Sequence, residues 1–586
     1  MRRATTGERG GVGVSAVAVI GAGPTGTSVV ERICANAPEL LGDHQLDVHV
    51  VDPYPHGAGR VWRADQPDLL WANSAAADIT VFTDRSVGCE GPLRPGPSLA
   101  EWLGSEPGYF APRPVLGRYL SFAFGQVVRT APPNVRVRLH RAAAVGLTDV
   151  RGGQRVELSG GGALEVDAVV LAQGHQGALP SPPEAEELAF AARHGLAYLP
   201  AGYAADLDPG VIPAGEPVLV RGAGLAFADL LALLTSGRGG RFTEHGGELR
   251  YVPGGSEPHL YVGSRRGVPY HAKIGYRLAA PPPGLPRFVT PGTPAGELRR
   301  AVAKELAYAY YFELFNGHPS RTRMGWDAFE PAFAAAEWGA KEMRALVTRS
   351  VPRFADRLQL DRLERPLRGM RFGDLAGLGR WMAGYLTAGL ERRADPAHSA
   401  DLALIHGLNA LRGVVPADPW FQGLYNYLAS GPPASRLAEL RALARAGVVT
   451  FLGEGIRVGR DERAGVWRAV SASVPGAVEA RALVEARLPE PTVARSTDPL
   501  LGALFARGEC REESGLLDVR LPDRRLVART GAVHPRRFAL GPWTAGGPGT
   551  AGFARPGVNA PLLRQADALA RTLLSVTAAA RLRPAA

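Results

Sequence analysis

Lysine is almost absent from this chain of 586 residues: Lys273, Lys304 and Lys341 are the three that occur. The net charge of +11 is therefore carried by arginines spread along the sequence, with no basic block of the kind that tracks a nucleic-acid backbone. No nucleic-acid partner is expected. Cysteine is scarce too: Cys34, Cys89 and Cys510 are far apart and odd in number. They form neither a CxxC pair nor a metal-ligand spacing, so no disulfide framework, dithiol reductase centre or metal site is expected. No apolar run approaches the ~18–20 residues that span a bilayer. Met1-Arg2-Arg3 is followed by polar, glycine-rich sequence rather than an apolar signal core. Residues 1–13 read as a flexible tail on a cytoplasmic protein with no membrane partner.

What is present is an α/β pattern built around glycine loops. Val14–Ile20 is a short apolar run, as a buried parallel strand requires, and ends at Gly21-Ala22-Gly23-Pro24-Thr25-Gly26. Helical sequence follows, then a second strand closing on Asp52. GxGxxG alone is weak evidence in a chain with 73 glycines; its place between strand and helix, with an acid after the next strand, makes it strong. Gly21 permits the tight turn, Gly23 the close approach of a pyrophosphate to the backbone, and Gly26 the packing of helix on strand. The helix N-terminus favours the phosphate charge, and Asp52 can accept from ribose hydroxyls.

A second strand–turn–helix unit starts at Pro217 and carries Gly222 and Gly224, with Phe227 where a third glycine belongs. The next strand end shows Ser264-Arg265-Arg266 in place of an acid. Donors and positive charge suit a 2′-phosphate where a carboxylate would suit a free ribose, so NADPH is expected there. Residues from about 295 to 450 read as helices, and their aromatic stretch Tyr308–Phe315 reads as core.

Ala168–His175 resembles the strand that follows the FAD domain in two-dinucleotide flavoproteins, with Gln173 and then Gly174 at its end. The C-terminal run Phe553–Ala560, with Arg555, Pro556 and Asn559, is similar to the chain end that such proteins return to the flavin. Two dinucleotide units in series, with Val51–Arg60, Leu70–Asp84 and Gly222–Leu234, resemble the bacterial FAD-NAD(P)-binding family. The resemblance implies two Rossmann-like domains with a large mainly helical insertion. Residues 14–215 would be the first part of the FAD domain, 216–295 the NADPH domain and 296–450 a helical lid or dimer interface. Residues 451–586 would return to both domains and end on a flavin-contacting helix. The cofactors it implies are FAD and NADPH, with Arg60, Trp62 and Trp71 beside the flavin.

Leu70–Thr80 followed by Gly96–Leu103 is more distantly similar to a stretch of flavin-dependent amine N-hydroxylases, among them the aspartate N-monooxygenases that form nitrosuccinate. This implies a monooxygenase that uses NADPH and O₂ to N-oxygenate a small amino acid through a C4a-peroxyflavin, with Asn73, Ser74 and Asp78 at the reaction centre. A dicarboxylate substrate would want arginine forks, for which Arg60, Arg63, Arg113, Arg321 and Arg323 are candidates. Other readings stay open: a Baeyer–Villiger or sulfur-oxidising monooxygenase, an NADPH–flavin reductase, or a non-catalytic FAD-binding redox sensor.

Overall fold

The computed structural model describes residues 14–416, 418–545 and 553–581; the tail expected over 1–13 lies outside them. The chain separates into two compact units: the first ends at Pro180 and resumes at Pro489, and the second runs Ser181–Leu488. In chain order, the strands that carry their sheets are β1 (Ser15–Ile20), β2 (Leu46–Val51), β3 (Val135–His140), β4 (Ala168–Leu171), β5 (Ala197–Leu199), β6 (Pro217–Arg221), β7 (His259–Ser264), β8 (Val449–Glu454), β9 (Ala482–Glu485) and β10 (Val533–Ala539). The helices used below are α1 (Pro24–Leu41), α2 (Leu225–Leu234), α3 (Ala295–Gly317), α4 (Leu375–Ala394), α5 (Ala400–Leu411), α6 (Pro419–Ala429) and α7 (Pro561–Arg581).

In the first unit β10, β4, β1, β2 and β3 lie side by side and parallel. Two short antiparallel strands, Val519–Arg520 and Arg525–Val527, extend the sheet beyond β10. Side chains alternate across a strand, and here both faces are covered. Val17 and Val19 join the cluster formed with α1 and α7, whereas Ala18 and Ile20 join the opposite one with Leu500 and Leu504. That is why β1 reads as an unbroken apolar run. Each such fully buried Val or Leu contributes about 1.5–3 kcal/mol. The α1–α7 seam also holds charge. Arg32 forms a salt bridge with Glu31, and the Asn36 amide donates to Asp567 at 2.8 Å, with Glu31, Arg32 and Asp567 all buried.

The second unit is built on an all-parallel sheet in the order β8-β7-β6-β9-β5. Because β5 pairs with β9, the segment from Ser181 belongs to this unit, so the chain changes unit at 180/181 rather than near residue 215. The neighbours β7 and β8 are parallel and need a crossover connection. Residues 265–448 supply it, with helices from Ala295 to Arg445, matching the helical stretch expected over 296–450. Tyr308, Tyr311, Leu314 and Phe315 of α3 pack with Phe329 and Phe333 in an aromatic core, as expected of that run.

Candidate functional site

A cavity of about 480 Å³ lies at the C-terminal ends of β1, β2 and β4 in the first unit. This is the crevice at the switch point of a parallel sheet, where open α/β folds bind ligands. The loop after β1 is shaped by close backbone contacts. Gly21 (φ +100°) lies so near β4 that a Cβ would come within 2.4 Å of the Ala172 carbonyl, and a Cβ on Gly26 would come within 1.9 Å of the Gly21 carbonyl. Gly26 therefore lets α1 pack on the turn, as expected, and does not itself line the cavity. Gly23 is different: it lines the cavity, and a Cβ there would meet only Gly59 Cα, at 3.9 Å.

The first turn of α1 is open to an anion. Gly23 precedes the helix without a side-chain cap, Pro24 has no N–H, and the first backbone bond inside the turn runs from Thr27 N–H to the Gly23 carbonyl at 2.9 Å. The amides of Thr25 and Gly26 are left without an intrahelical acceptor. Asp52 holds this turn from β2: its Oδ2 accepts from Ala22 N–H at 2.6 Å and its Oδ1 from Tyr54 N–H at 2.7 Å. Burial raises the Asp52 carboxyl above its usual range, and those two bonds oppose the rise. Its oxygens keep lone pairs for a ribose, so the acid both builds the loop and faces the cavity.

Across the cavity, Gln173 and Gly174 extend β4. The Gln173 amide donates to Asp498 Oδ2 at 2.7 Å, and Asp498 Oδ1 accepts from Leu501 N–H at the start of the helix Pro499–Ala506. Gln173 Oε1 is buried without a partner among the described residues. An orphaned buried acceptor costs about 1–3 kcal/mol, and a donor on a bound molecule would remove that cost. The open face at Gly23, the uncapped helix start, Asp52 and this acceptor together fit a dinucleotide with its pyrophosphate over Gly23. His175 also lines the cavity, and burial holds its imidazole below the usual range, so it is neutral at pH 7.

The other residues singled out from the sequence fall in three places. Pro24, Thr25, Arg60 and Trp62 line the cavity. Trp71, Asn73, Ser74 and Asp78 do not; they lie on the half-buried Leu70–Thr80 segment, which a bridge from Thr80 to Ala554 joins to the C-terminal run. Asp78 Oδ2 stands 3.7 Å from Arg555 Nη1, both roughly half exposed. Arg555, Pro556 and Asn559 are exposed and lie outside the cavity wall, where Asn559 Oδ1 accepts from Gly88 N–H at 3.0 Å. Their neighbours Phe553 and Leu562, the latter in the first turn of α7, do line it. Gly59, Tyr54, Thr497 and Asp498 are lining residues that sequence reasoning missed. Asp498-Pro499 is legible as a helix cap followed by a first-turn proline, yet nothing local says that it meets Gln173.

In the second unit, Gly222 (φ +125°) approaches the Ala486 carbonyl, and Gly224 starts α2 beneath the Tyr270 ring. Phe227, in the place of a third glycine, is buried in the core of this unit. The Ser264-Arg265-Arg266 trio separates. Ser264 Oγ accepts from Gly267 N–H at 2.9 Å and shapes its own turn. Arg265 is exposed. Arg266 is buried: its guanidinium sits 4.8 Å over the Tyr427 ring and its Nε donates to the Glu364 carbonyl at 3.0 Å. Arg266, expected with Arg265 to meet a 2′-phosphate, thus has its planar face on Tyr427 and its Nε on the Glu364 carbonyl. Arg321 is likewise held, donating to the Ala397 carbonyl at 2.6 Å.

All three thiols are free, and burial pushes them up, Cys34 and Cys510 to about 12 and Cys89 to about 11. Thiols so hard to ionise are poor nucleophiles. Among the described residues no cluster could hold a metal ion, and no helix is long and apolar enough to cross a membrane.

Comparison with known proteins adds relatives that align over 95–96% of the chain. Residues 18–176 match the family described as FAD-NAD(P)-binding. A nitrosuccinic acid synthase of Aspergillus oryzae is 38% identical, aligned over 95% of this chain and 92% of its own. Nitrosuccinate-forming L-aspartate N-monooxygenases are similar as well. That of Streptomyces davaonensis is 37% identical, over 95% of this chain and 97% of its own. That of Streptomyces cremeus is 39% identical, over 96% and 95%.

Proposed function

Since the chain belongs to the family of FAD-NAD(P)-binding proteins that includes the nitrosuccinate-forming L-aspartate N-monooxygenases, we propose that it N-oxygenates the amine of L-aspartate toward nitrosuccinate. It is a flavin-dependent monooxygenase with FAD in the first unit and NADPH as the reductant. The observation that carries the substrate is the extent of the likeness. Identity of 37–39% runs through 92–97% of each relative, so it includes the helical crossover and not the dinucleotide loop alone.

Per oxygenation, one atom of O₂ goes to the amine nitrogen and the other leaves as water, with two electrons from NADPH. FAD, when bound, would supply the two-electron redox chemistry and the activation of oxygen. This chain's residues bind and orient. The Thr25 and Gly26 amides and the α1 N-terminus hold the pyrophosphate, Asp52 the adenosine ribose, and Gln173 Oε1 a donor on the cofactor. Trp62 packs at 5.1 Å against Phe553, and both rings form part of the cavity wall. We assign Arg60 and Trp71 to the flavin's surroundings. Asn73, Ser74 and Asp78 we assign to the substrate side, with Arg555, Pro556 and Asn559 on the returning chain end that Asp78 meets. We assign Gly222 and Gly224 to the NADPH turn and Arg265, exposed beside Ser264, to the 2′-phosphate.

The free thiols, all hard to ionise, fit work in the cytoplasm, and the helical crossover is our candidate for a self-association surface. The test is to supply the purified flavoprotein with NADPH, O₂ and a panel of amino acids, following oxygen uptake and nitro product. Aspartate should drive NADPH consumption and yield nitrosuccinate. A panel in which no amino acid gives an N-oxygenated product would overturn the proposal while leaving flavin binding intact.

A further inference from the structure

A second cavity, of about 310 Å³, lies wholly within the second unit, among α3, α4, α5, α6 and the segment 354–366, which includes the short helix Leu360–Glu364. Its volume is at the small end of ligand sites, which run from about 300 to 1,000 Å³. Its wall is unusual in charge. Arg357, Arg362, Arg392 and Arg393 line it, against one carboxylate among the described lining residues, Asp401. That carboxylate is already engaged: Arg392 donates to it through both Nε, at 2.5 Å, and Nη2, at 2.8 Å. Arg357 is half-buried and donates to the Val351 and Pro352 carbonyls, which leaves its charge unbalanced. Arg362 is exposed.

Arg393 is the anomaly. It is 6% exposed, and its Nη1 is buried with no hydrogen-bond partner among the described residues. The remaining polar neighbours add no negative charge. His271 is held neutral by burial, with Arg393 and Arg392 acting in the same direction, and its Nε2 stands 3.4 Å from the Tyr385 hydroxyl. That hydroxyl pairs with Tyr427 at 2.7 Å. A buried guanidinium with an idle donor costs stability unless an anion meets it. A planar fork suits a carboxylate above other anions, and several arginines around one small space suit two carboxylates on one molecule.

We propose that this cavity recognises the two carboxylates of a C4 dicarboxylic amino acid, with Arg393 as the buried anchor and Arg357 and Arg362 as further sources of positive charge. The identity of the amino acid as L-aspartate rests on the function proposed above; the dicarboxylate chemistry does not.

The test uses the FAD-loaded enzyme and two probes. L-Aspartate carries the amine; succinate has the same carboxylates and nothing to oxidise. Calorimetric titration should show both binding to the unmodified protein. Arg393→Met should weaken both by about 100-fold, equivalent to about 2.7 kcal/mol, and Arg393→Lys by less. The rate at which NADPH bleaches the flavin should stay unchanged. Because Arg393→Met removes a buried guanidinium whose Nη1 has no hydrogen-bond partner among the described residues, its melting temperature without ligand should hold or rise. If it falls, the exposed Arg362→Ala serves instead and should still weaken succinate several-fold.

Succinate binding that ignores both variants, or no succinate binding by the unmodified enzyme, would overturn the pocket. So would sulfate competing as well as succinate, since a site for any anion is not a dicarboxylate site. The two proposals fail separately. Arg393-dependent succinate binding without product from aspartate leaves the pocket and sinks the reaction. Aspartate turnover by an enzyme whose succinate binding ignores Arg393→Met does the reverse.

Discussion

Adding one methyl group to Gly23 separates the fold of the dinucleotide loop from its ligand. Gly23 has φ −71° and ψ −167°, an extended conformation open to any L-residue, so alanine brings no backbone strain. The nearest atom to the new methyl is Gly59 Cα at 3.9 Å, an ordinary contact. Two small effects then oppose each other in the protein without cofactor. Restricting the unfolded chain stabilises by about 0.4–1 kcal/mol, and alanine is the poorer residue at a helix N-cap by several tenths to about 1 kcal/mol. The net change should lie within about 0.5 kcal/mol, as for most substitutions that break no packing. The cofactor experiences the change differently, because the methyl stands where a phosphate must approach the backbone. Losing that approach is expected to weaken FAD by 100-fold or more, about 2.7 kcal/mol at 1.4 kcal/mol per decade. Gly26→Ala is the contrast: its Cβ would lie 1.9 Å from the Gly21 carbonyl, so the helix must move off the turn. Overpacking of that kind costs about 1–3 kcal/mol or more, with or without cofactor. Thermal melts of the FAD-free proteins and FAD titrations followed by flavin fluorescence decide the matter. A Gly23→Ala protein that binds FAD as tightly as the parent would refute the placement of the pyrophosphate over Gly23.

Three further outcomes follow from the geometry. Gln173→Leu removes the bond to Asp498 and the orphaned acceptor together. It should lower the flavin content of the purified protein, whereas in the FAD-free protein the lost bond and the relieved acceptor oppose each other and change stability by about 1 kcal/mol or less, measured by bound FAD and by urea unfolding. Arg265→Ala should raise the KM for NADPH tenfold or more and leave that for NADH unchanged, whereas Arg266→Ala should lower stability through its lost contacts with Tyr427 and Glu364. His271 is held well below 6.5 in the folded state. Its contribution is thus fully present above the unfolded value of about 6.5 and is lost as the pH falls toward the folded one. Within that window it should tilt stability by about 1.4 kcal/mol per pH unit, and His271→Gln should flatten that part of a stability–pH curve.

The sequence by itself determined the elements whose physics is local. β1 is legible because a strand buried on both faces must be apolar throughout, and Gly21 and Gly26 because the turn leaves no room for a Cβ. Asp52 was found from its distance along the chain, since β2 follows α1 directly. The helical stretch is legible from its frequent Ala, Leu and Arg and its few β-branched residues, and the aromatic run of α3 reads as core although its spacing is mixed. Tertiary structure decided everything that depends on partners far apart in the chain. Arg265 and Arg266 are adjacent and chemically identical, yet one is exposed and the other is locked over Tyr427, 161 positions away, because only the fold brings α6 to the end of β7. For the same reason Arg321, a candidate on sequence grounds, is tied to a carbonyl, whereas Arg393 is left with an idle donor. Gln173 meets Asp498 across 325 positions. A residue's type fixes what it can bond to, and its own neighbours in sequence fix the backbone it sits on. Whether that bonding capacity is already spent is settled only when the chain has packed, and in this protein that decides which arginines remain available to a ligand.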